Sequence, residues 1–110
     1  MTYGPNSESA AVNATVAQLN DDTFFNFTAT AVYIDNADSV AELANYNAVV
    51  HSGIYWEAMS AAYWSALRDY AESGTGGIVT TGLYSYNLQY SLSGTSQADA
   101  DFISPASTGG

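Results

Sequence analysis

The sequence predicts an α/β domain with a parallel sheet and helices on both of its faces. The segments YNAVVHSG and GGIVTTG are short apolar runs bounded by turn residues, which is typical of strands covered on both sides. Between them, residues 59–70 carry apolar side chains at the spacing of one helix face. Because strands and helices alternate along the chain, right-handed β-α-β units are the expected connections.

The first third of the chain predicts one strand end, one helix and one longer strand. MTYG reads as the end of a strand, and a turn at Pro5 and Asn6 follows it. Ser7 is a suitable N-cap for a helix over residues 8–19, where Val12, Val16 and Leu19 share one face. Residues 26–34 are rich in β-branched and aromatic side chains, so they predict a strand.

The middle of the chain predicts two helices. Asp38 or Ser39 can cap a short helix that ends at Leu43. The longer helix has its apolar stripe at positions i, i+3, i+4, i+7, i+8 and i+11, and Gly74 is placed to end it in the left-handed conformation. The stripe consists of Met59, Ala62, Tyr63, Ala66, Leu67 and Tyr70.

The last third of the chain is less regular. Apolar and polar residues alternate strictly over residues 84–92, which indicates a half-exposed strand that either extends the fourth strand or lies at an edge. Residues 93–110 are rich in Ser, Thr, Gly, Ala and Asp and predict a polar loop or linker. The predicted domain therefore spans residues 1–92.

Charge and composition exclude several classes of function. The chain has 11 acidic residues, one Arg and no Lys, for a formal net charge of −10. Nucleic-acid binding is excluded because nothing neutralises phosphates, and docking on an anionic membrane is disfavoured. No Cys is present, so thiolate chemistry and disulfides are excluded, and no apolar run is long enough for membrane insertion. An acidic surface without Lys suits a secreted or high-salt setting.

The order of segments resembles a known family. ATVAQLNDDTFFNFTAT, SVAELANYNAVV and YWSALRDYAESGTGGIVTTG together resemble the class I glutamine amidotransferase-like fold. The likeness is to its non-amidotransferase branch near the trehalose-utilisation (ThuA-like) proteins, and such domains also occur inside long, acidic bacterial surface proteins. It covers roughly residues 8–106, and ELANYNAVV and GGIVTTG are its most specific pieces.

The resemblance implies a three-layer, flavodoxin-like, doubly wound parallel sheet in which the first strand lies between the second and the third. With only MTYG for a first strand, and no further strands after DADFISPAS, we expect a domain truncated at both ends. We therefore expect flanking domains of a larger exported bacterial protein, at the cell surface or outside the cell, with the export signal lying outside this chain.

Functional side chains are expected at the carboxyl ends of the strands, where open α/β sheets bind their ligands. In the family, the fourth strand ends in a Cys nucleophile, and the resemblance places Gly82 at that position. Glycine carries no nucleophile, so the resemblance predicts a domain without catalytic residues and without a cofactor. The candidate binding residues are Asn6, Ser7, Asp35, His51, Ser52, Tyr55, Thr81, Gly82, Tyr84 and Tyr86.

Several of these candidates allow two interpretations. His51 is either a hydrogen-bonded residue at a strand end or a site residue, but it is poorly placed as a base for Ser52, because successive strand residues point to opposite faces. Asp35 and Asp38 are either solvated loop residues or part of a weak calcium site. The aromatic side chains near the strand ends, including Tyr55 and Tyr84, either pack over helix ends or form a contact surface.

The sequence therefore predicts a non-catalytic structural or binding module whose ligand is a protein or a carbohydrate. Two alternatives stay open. One is a hydrolase-like enzyme of the same fold that uses His51 or Asp35 together with residues outside this chain. The other is a calcium-dependent adhesion domain.

Overall fold

A computed structural model describes residues 1–4, 9–52, 60–80 and 94–103 of the chain. Four strands and four helices lie in these ranges, in an order that alternates over most of the chain. The strands are β1 (Thr2–Tyr3), β2 (Val32–Tyr33), β3 (Ala48–His51) and β4 (Gly77–Thr80). The helices are α1 (Ser9–Leu19), α2 (Val40–Leu43), α3 (Ala61–Ser73) and α4 (Gly94–Ile103).

The four strands form one all-parallel sheet in the order β2-β1-β3-β4. The predicted α/β class and the parallel sheet are therefore confirmed. β1 lies between β2 and β3, and the register pairs Thr2 with Val32 on one side and with His51 on the other. Strands β3 and β4 pair over their full length, from Ala48 opposite Gly77 to His51 opposite Thr80.

The ends of α2 and α3 follow the local sequence signals. Ser39 caps α2 by accepting a hydrogen bond from the backbone N–H of Glu42, and Ser60 caps α3 by accepting one from Tyr63. Helix α3 ends at Gly74, whose φ of 70° lies in the left-handed region that glycine enters without steric cost. Of the two residues predicted as possible caps of α2, Asp38 and Ser39, the structure uses Ser39, and the predicted Gly74 terminus is confirmed.

The main core lies between β3 and the helices α2, α3 and α4. Val49 and His51 are buried on the face of β3 that meets this core, whereas Val50 points to the other face. Helix α3 contributes most of the buried volume, through Tyr63, Trp64, Ala66, Leu67 and Tyr70. One residue of the predicted stripe, Ala62, is exposed instead, and Met59 lies outside the described residues.

The strand predicted over residues 26–34 is wrong for most of its length. Only Val32 and Tyr33 pair in the sheet, and Ile34–Asn36 form a 3₁₀ turn. The residues before Val32 lie in a connection in which the backbone of Ala29 is bonded to the Asn20 side chain, just after α1, and the carbonyl oxygen of Thr30 accepts from the amino terminus of Met1. Residue preference for strands is a weak signal, because it reflects packing on a half-buried sheet surface that these residues do not have.

The loop or linker predicted over residues 93–110 contains a helix in its described part. Helix α4 packs against α3 and buries Ala100 in the main core. The guanidinium of Arg68 on α3 lies 3.3 Å from the carboxylate of Asp99 and 4.7 Å from the ring centre of Phe102, both on α4. Composition alone does not predict this helix, because the helix is stabilised by contacts with α3.

Helices of the described part of the chain are too short or too polar to cross a lipid bilayer.

Candidate functional site

The site expected from the fold class lies where β1 and β3 meet. The chain leaves β1 towards β2 on one side, while β3 and β4 lie on the other, so the direction of the connections reverses between β1 and β3. Open α/β sheets bind ligands at such a point, outside the carboxyl ends of the strands. His51, at the carboxyl end of β3, and its register partner Thr2 on β1 lie at this position.

Three polar side chains form a buried hydrogen-bond chain there. The Tyr63 hydroxyl, from helix α3, lies 2.7 Å from Nδ1 of His51 and 2.7 Å from Oγ1 of Thr2. Oγ1 of Thr2 also donates to the carbonyl oxygen of Val50 at 3.3 Å. His51 and Tyr63 are both fully buried and Thr2 nearly so. The chain therefore joins β1, β3 and α3 inside the core.

The direction of each hydrogen bond follows from the number of protons available. The hydroxyl proton of Thr2 is used on the Val50 carbonyl, so Oγ1 of Thr2 accepts the proton of the Tyr63 hydroxyl. The Tyr63 oxygen is then an acceptor towards His51, so Nδ1 of His51 carries the proton. The neutral Nδ1–H tautomer of His51 is the one that satisfies all three groups.

The electrostatics of the core keep His51 neutral. Burial away from water disfavours the imidazolium form and lowers the pKa of His51 from its ordinary 6.5 to about 4. At neutral pH the ring is therefore uncharged, which is the state that the hydrogen-bond chain requires. A general base should instead have a pKa near the working pH and reach its substrate.

Aromatic rings close His51 off from solvent within the described part of the chain. The rings of Tyr63 and Trp64 lie with their centres 5.7 and 5.2 Å from that of His51. A small cleft nearby, lined by Met1, Leu43 and Val49 among others, holds only about 10 Å³ of space, which is near the minimum for one water molecule. His51 does not line this cleft. The ring of His51 is instead fully buried.

The described structure covers three of the ten predicted binding residues. His51 is buried in the hydrogen-bond chain, and Ser52 is half-buried with its backbone N–H donating to the carbonyl oxygen of Thr2 at 3.0 Å. Asp35 is exposed in the 3₁₀ turn after β2, apart from that chain. The others lie outside the described residues: Asn6, Ser7, Tyr55, Thr81, Gly82, Tyr84 and Tyr86.

Asp35 and Asp38 are both exposed after β2. Over residues 1–4, 9–52, 60–80 and 94–103, no three His, Asp or Glu side chains come together in a group that could hold a metal ion. The calcium-site interpretation of these two carboxylates therefore gains no support from this part of the structure.

A second candidate surface lies in the connection between α1 and β2. We name residues 20–29 the Phe loop. Its three phenylalanines, Phe24, Phe25 and Phe27, are 76%, 43% and 60% exposed. The Asn20 side chain closes the loop by accepting from the backbone N–H of Ala29 at 2.7 Å and donating to its carbonyl at 2.9 Å. Since this connection enters β2, it lies at the amino end of that strand, away from the predicted site.

No known protein family, no curated protein and no solved structure matches the chain in our comparisons. The amidotransferase-like resemblance thus depends on the quoted sequence segments alone.

Sequence reasoning missed the partners of His51 and the Phe loop. The helical spacing of apolar residues predicts Tyr63 to be in the core. Because a buried histidine needs a hydrogen-bond partner, the hydroxyl of Tyr63 on the facing helix was a signal that could have identified this partner. For the loop, adjacent Phe24 and Phe25 break the alternation of a half-buried strand, and Asp21 accepts a bond from the backbone of Thr23 as a turn residue does.

Proposed function

We propose that this chain is a non-catalytic binding module within a larger exported bacterial protein. One observation carries the proposal: the only histidine of the chain is built into the core, where its Nδ1 lies 2.7 Å from the Tyr63 hydroxyl. With no Cys in the sequence, His51 is also the only side chain with an ordinary pKa near neutrality. Because His51 packs in the core, it is not available as a general base.

We further propose that the domain belongs to the amidotransferase-like, flavodoxin-like group. Support comes from the parallel strand order β2-β1-β3-β4 and from the sequence segments that resemble this family. On this proposal, the nucleophile position falls on Gly82, and the sheet serves as a rigid frame for surface contacts. The acidic composition, with one Arg and no Lys, fits an extracellular or cell-surface setting.

The ligand class follows from the exposed side chains. Aromatic side chains that remain in water are typical of surfaces that contact proteins or carbohydrates. The described part of the chain holds three such rings together in the Phe loop. A net charge of −10 favours partners with basic or neutral surfaces and disfavours nucleic acid.

Chemical labelling of His51 tests the proposal. Diethyl pyrocarbonate acylates neutral imidazoles that solvent can reach, and intact-mass and peptide analysis reads a single-histidine chain without ambiguity. We expect the native chain to react at His51 far more slowly than the chain unfolded in urea. The matched control is a His51→Gln variant, which reports labelling at Tyr side chains and the amino terminus.

Rapid labelling of His51 in the native chain would contradict the proposal. Such a result would show that solvent reaches the ring, and the hydrolase-like alternative would then be the better account of the chain.

A further inference from the structure

We infer that the Phe loop is a docking surface for a protein partner that offers an apolar pocket rimmed by Lys or Arg side chains. This inference rests on the proposed binding function and names its surface and the chemistry of its partner. The Phe loop lies at the amino end of β2, away from the strand ends that the sequence singled out.

The three exposed rings do not contribute the stability that burial of an aromatic side chain gives a fold. Burying a phenylalanine side chain stabilises a folded protein, yet Phe24 and Phe27 are 76% and 60% exposed. The rings also lie together, since Phe25 stacks on Phe27 with ring centres 5.6 Å apart and Phe24 lies 6.5 Å from Phe25. A clustered aromatic surface of this kind is what the centre of a protein interface contains.

The backbone of the loop is held in one conformation by hydrogen bonds. Asn20 joins both ends through its two bonds to Ala29. Asp21 accepts from the backbone of Thr23 through its carboxylate and from Phe24 and Phe25 through its carbonyl. A loop that is ordered before binding loses less conformational entropy on association, so the rings are presented in advance.

The charges next to the rings select the partner. Asp21 and Asp22 are exposed directly before the aromatic segment, and the whole chain has a formal net charge of −10. A second copy of this chain would bring the same acidic surface to the interface, and an anionic membrane would repel it. Phenylalanine has no polar atom with which to bond a sugar hydroxyl, so a carbohydrate is a poorer fit than a protein. An apolar pocket complements the phenylalanine rings, and basic groups around it complement the acidic side chains.

Site-specific photo-cross-linking tests the inference. The photoreactive analogue p-benzoylphenylalanine replaces Phe24 in the full-length protein, expressed in the cells that make it, and cross-linked peptides are mapped by mass spectrometry. The analogue keeps an aromatic ring at the position. The matched control places it at Phe102 on α4, which is also exposed, at 48%, but lies against Arg68.

We expect the Phe24 probe to yield one partner peptide with apolar residues flanked by Lys or Arg, and the Phe102 probe not to yield it. We also expect an Asp21→Asn, Asp22→Asn variant to associate with that partner about tenfold more slowly at low salt. An Asp69→Asn variant, which removes an exposed carboxylate of α3, should keep the original rate.

Cross-links from Phe24 to lipid, to glycan, to a second copy of the chain or to a partner without basic residues would overturn the inference, and so would their absence. A third probe at Tyr86, one of the predicted binding residues, separates this failure from that of the proposed function. If Tyr86 cross-links a partner and Phe24 does not, the binding function stands and the loop inference fails. If neither does, both fail.

Discussion

The hydroxyl of Tyr63 lies 2.7 Å from Nδ1 of His51 and fixes helix α3 to the end of strand β3. The same hydroxyl lies 2.7 Å from Oγ1 of Thr2, so one oxygen connects three elements of the fold. Buried polar groups of this kind contribute little net stability when they are satisfied, and they cost much more when one partner is removed.

Tyr63→Phe should destabilise the domain by about 1–3 kcal/mol, because it takes the hydroxyl away from two buried groups and leaves the ring in place. Urea unfolding followed by fluorescence measures the change. Tyr33→Phe is the matched control, since it removes a hydroxyl from a half-buried tyrosine at the sheet edge, and we expect a change within about 0.5 kcal/mol. Equal losses in the two variants would contradict the role given to Tyr63.

Acid should weaken the fold through His51. Burial lowers its pKa from 6.5 to about 4, so between these values the unfolded chain binds a proton that the folded chain does not. The contribution is fully present above pH 6.5 and is lost as the pH falls towards 4, by about 3 kcal/mol in total.

Urea unfolding at a series of pH values measures this loss. Carboxylates also titrate at the lower end of the range, so the informative quantity is the difference between the native chain and a His51→Gln variant. The variant should show a flatter dependence between pH 6.5 and 4. Parallel curves for the two proteins would show that His51 does not lose charge on folding.

Two adjacent glycines should respond differently to the same substitution. A Cβ at Gly76 would collide with the carbonyl oxygen of Asn47 and the hydroxyl of Tyr70, whereas a Cβ at Gly77 would meet nothing within 4 Å. The Tyr70 hydroxyl is itself fixed by donating to the Tyr46 carbonyl at 2.9 Å. Gly76→Ala should therefore cost about 1–3 kcal/mol, and Gly77→Ala should be close to neutral.

Thermal unfolding of the two alanine variants, compared with the unsubstituted chain, decides this prediction. A melting temperature for Gly76→Ala equal to that of Gly77→Ala would show that the turn between α3 and β4 is looser than the contacts at Gly76 indicate.

The single Arg of the chain should hold α4 against α3. Arg68 lies 3.3 Å from both Glu72 on its own helix and Asp99 on α4, and these carboxylates raise its pKa. Asp99→Asn should speed hydrogen exchange of the α4 amides by roughly two- to fivefold, because it weakens the contact between the helices. Glu72→Gln, the control, removes only the pair within α3 and should leave exchange in α4 unchanged.

The α/β class, the parallel sheet and the long helix could be predicted because their signals are local. Apolar runs at β3 and β4, the helical stripe of α3 and the terminus at Gly74 all lie in short windows of sequence. The spacing of apolar residues along the sequence is enough to assign each of these segments as strand or helix, without knowing which distant residues it contacts. The short helix α2 belongs with them, since Ser39 caps it as its position indicates.

The failures of prediction share a cause in long-range contacts. Helix α4 looks like a polar linker because its stability depends on the burial of Ala100 and on the ion pair between Asp99 and Arg68, which form only in the folded chain. Residues 26–29 of the Phe loop look like the start of a strand because their residue types favour one, but the Asn20 side chain bonds Ala29, nine positions along the chain, and closes the segment into a loop. The environment of His51 depends on Tyr63, twelve positions further along the chain. None of these partners can be chosen from local pattern alone.

His51 is fully buried in the core and, on the function proposed, takes no part in a reactive site. A pH titration of the chain by NMR, with ¹⁵N-labelled histidine, tests this placement of His51, because nitrogen shifts report both tautomer and protonation. We expect a neutral ring protonated on Nδ1 at pH 7, with a midpoint near 4. A midpoint near the ordinary 6.5, or a ring protonated on Nε2, would contradict it.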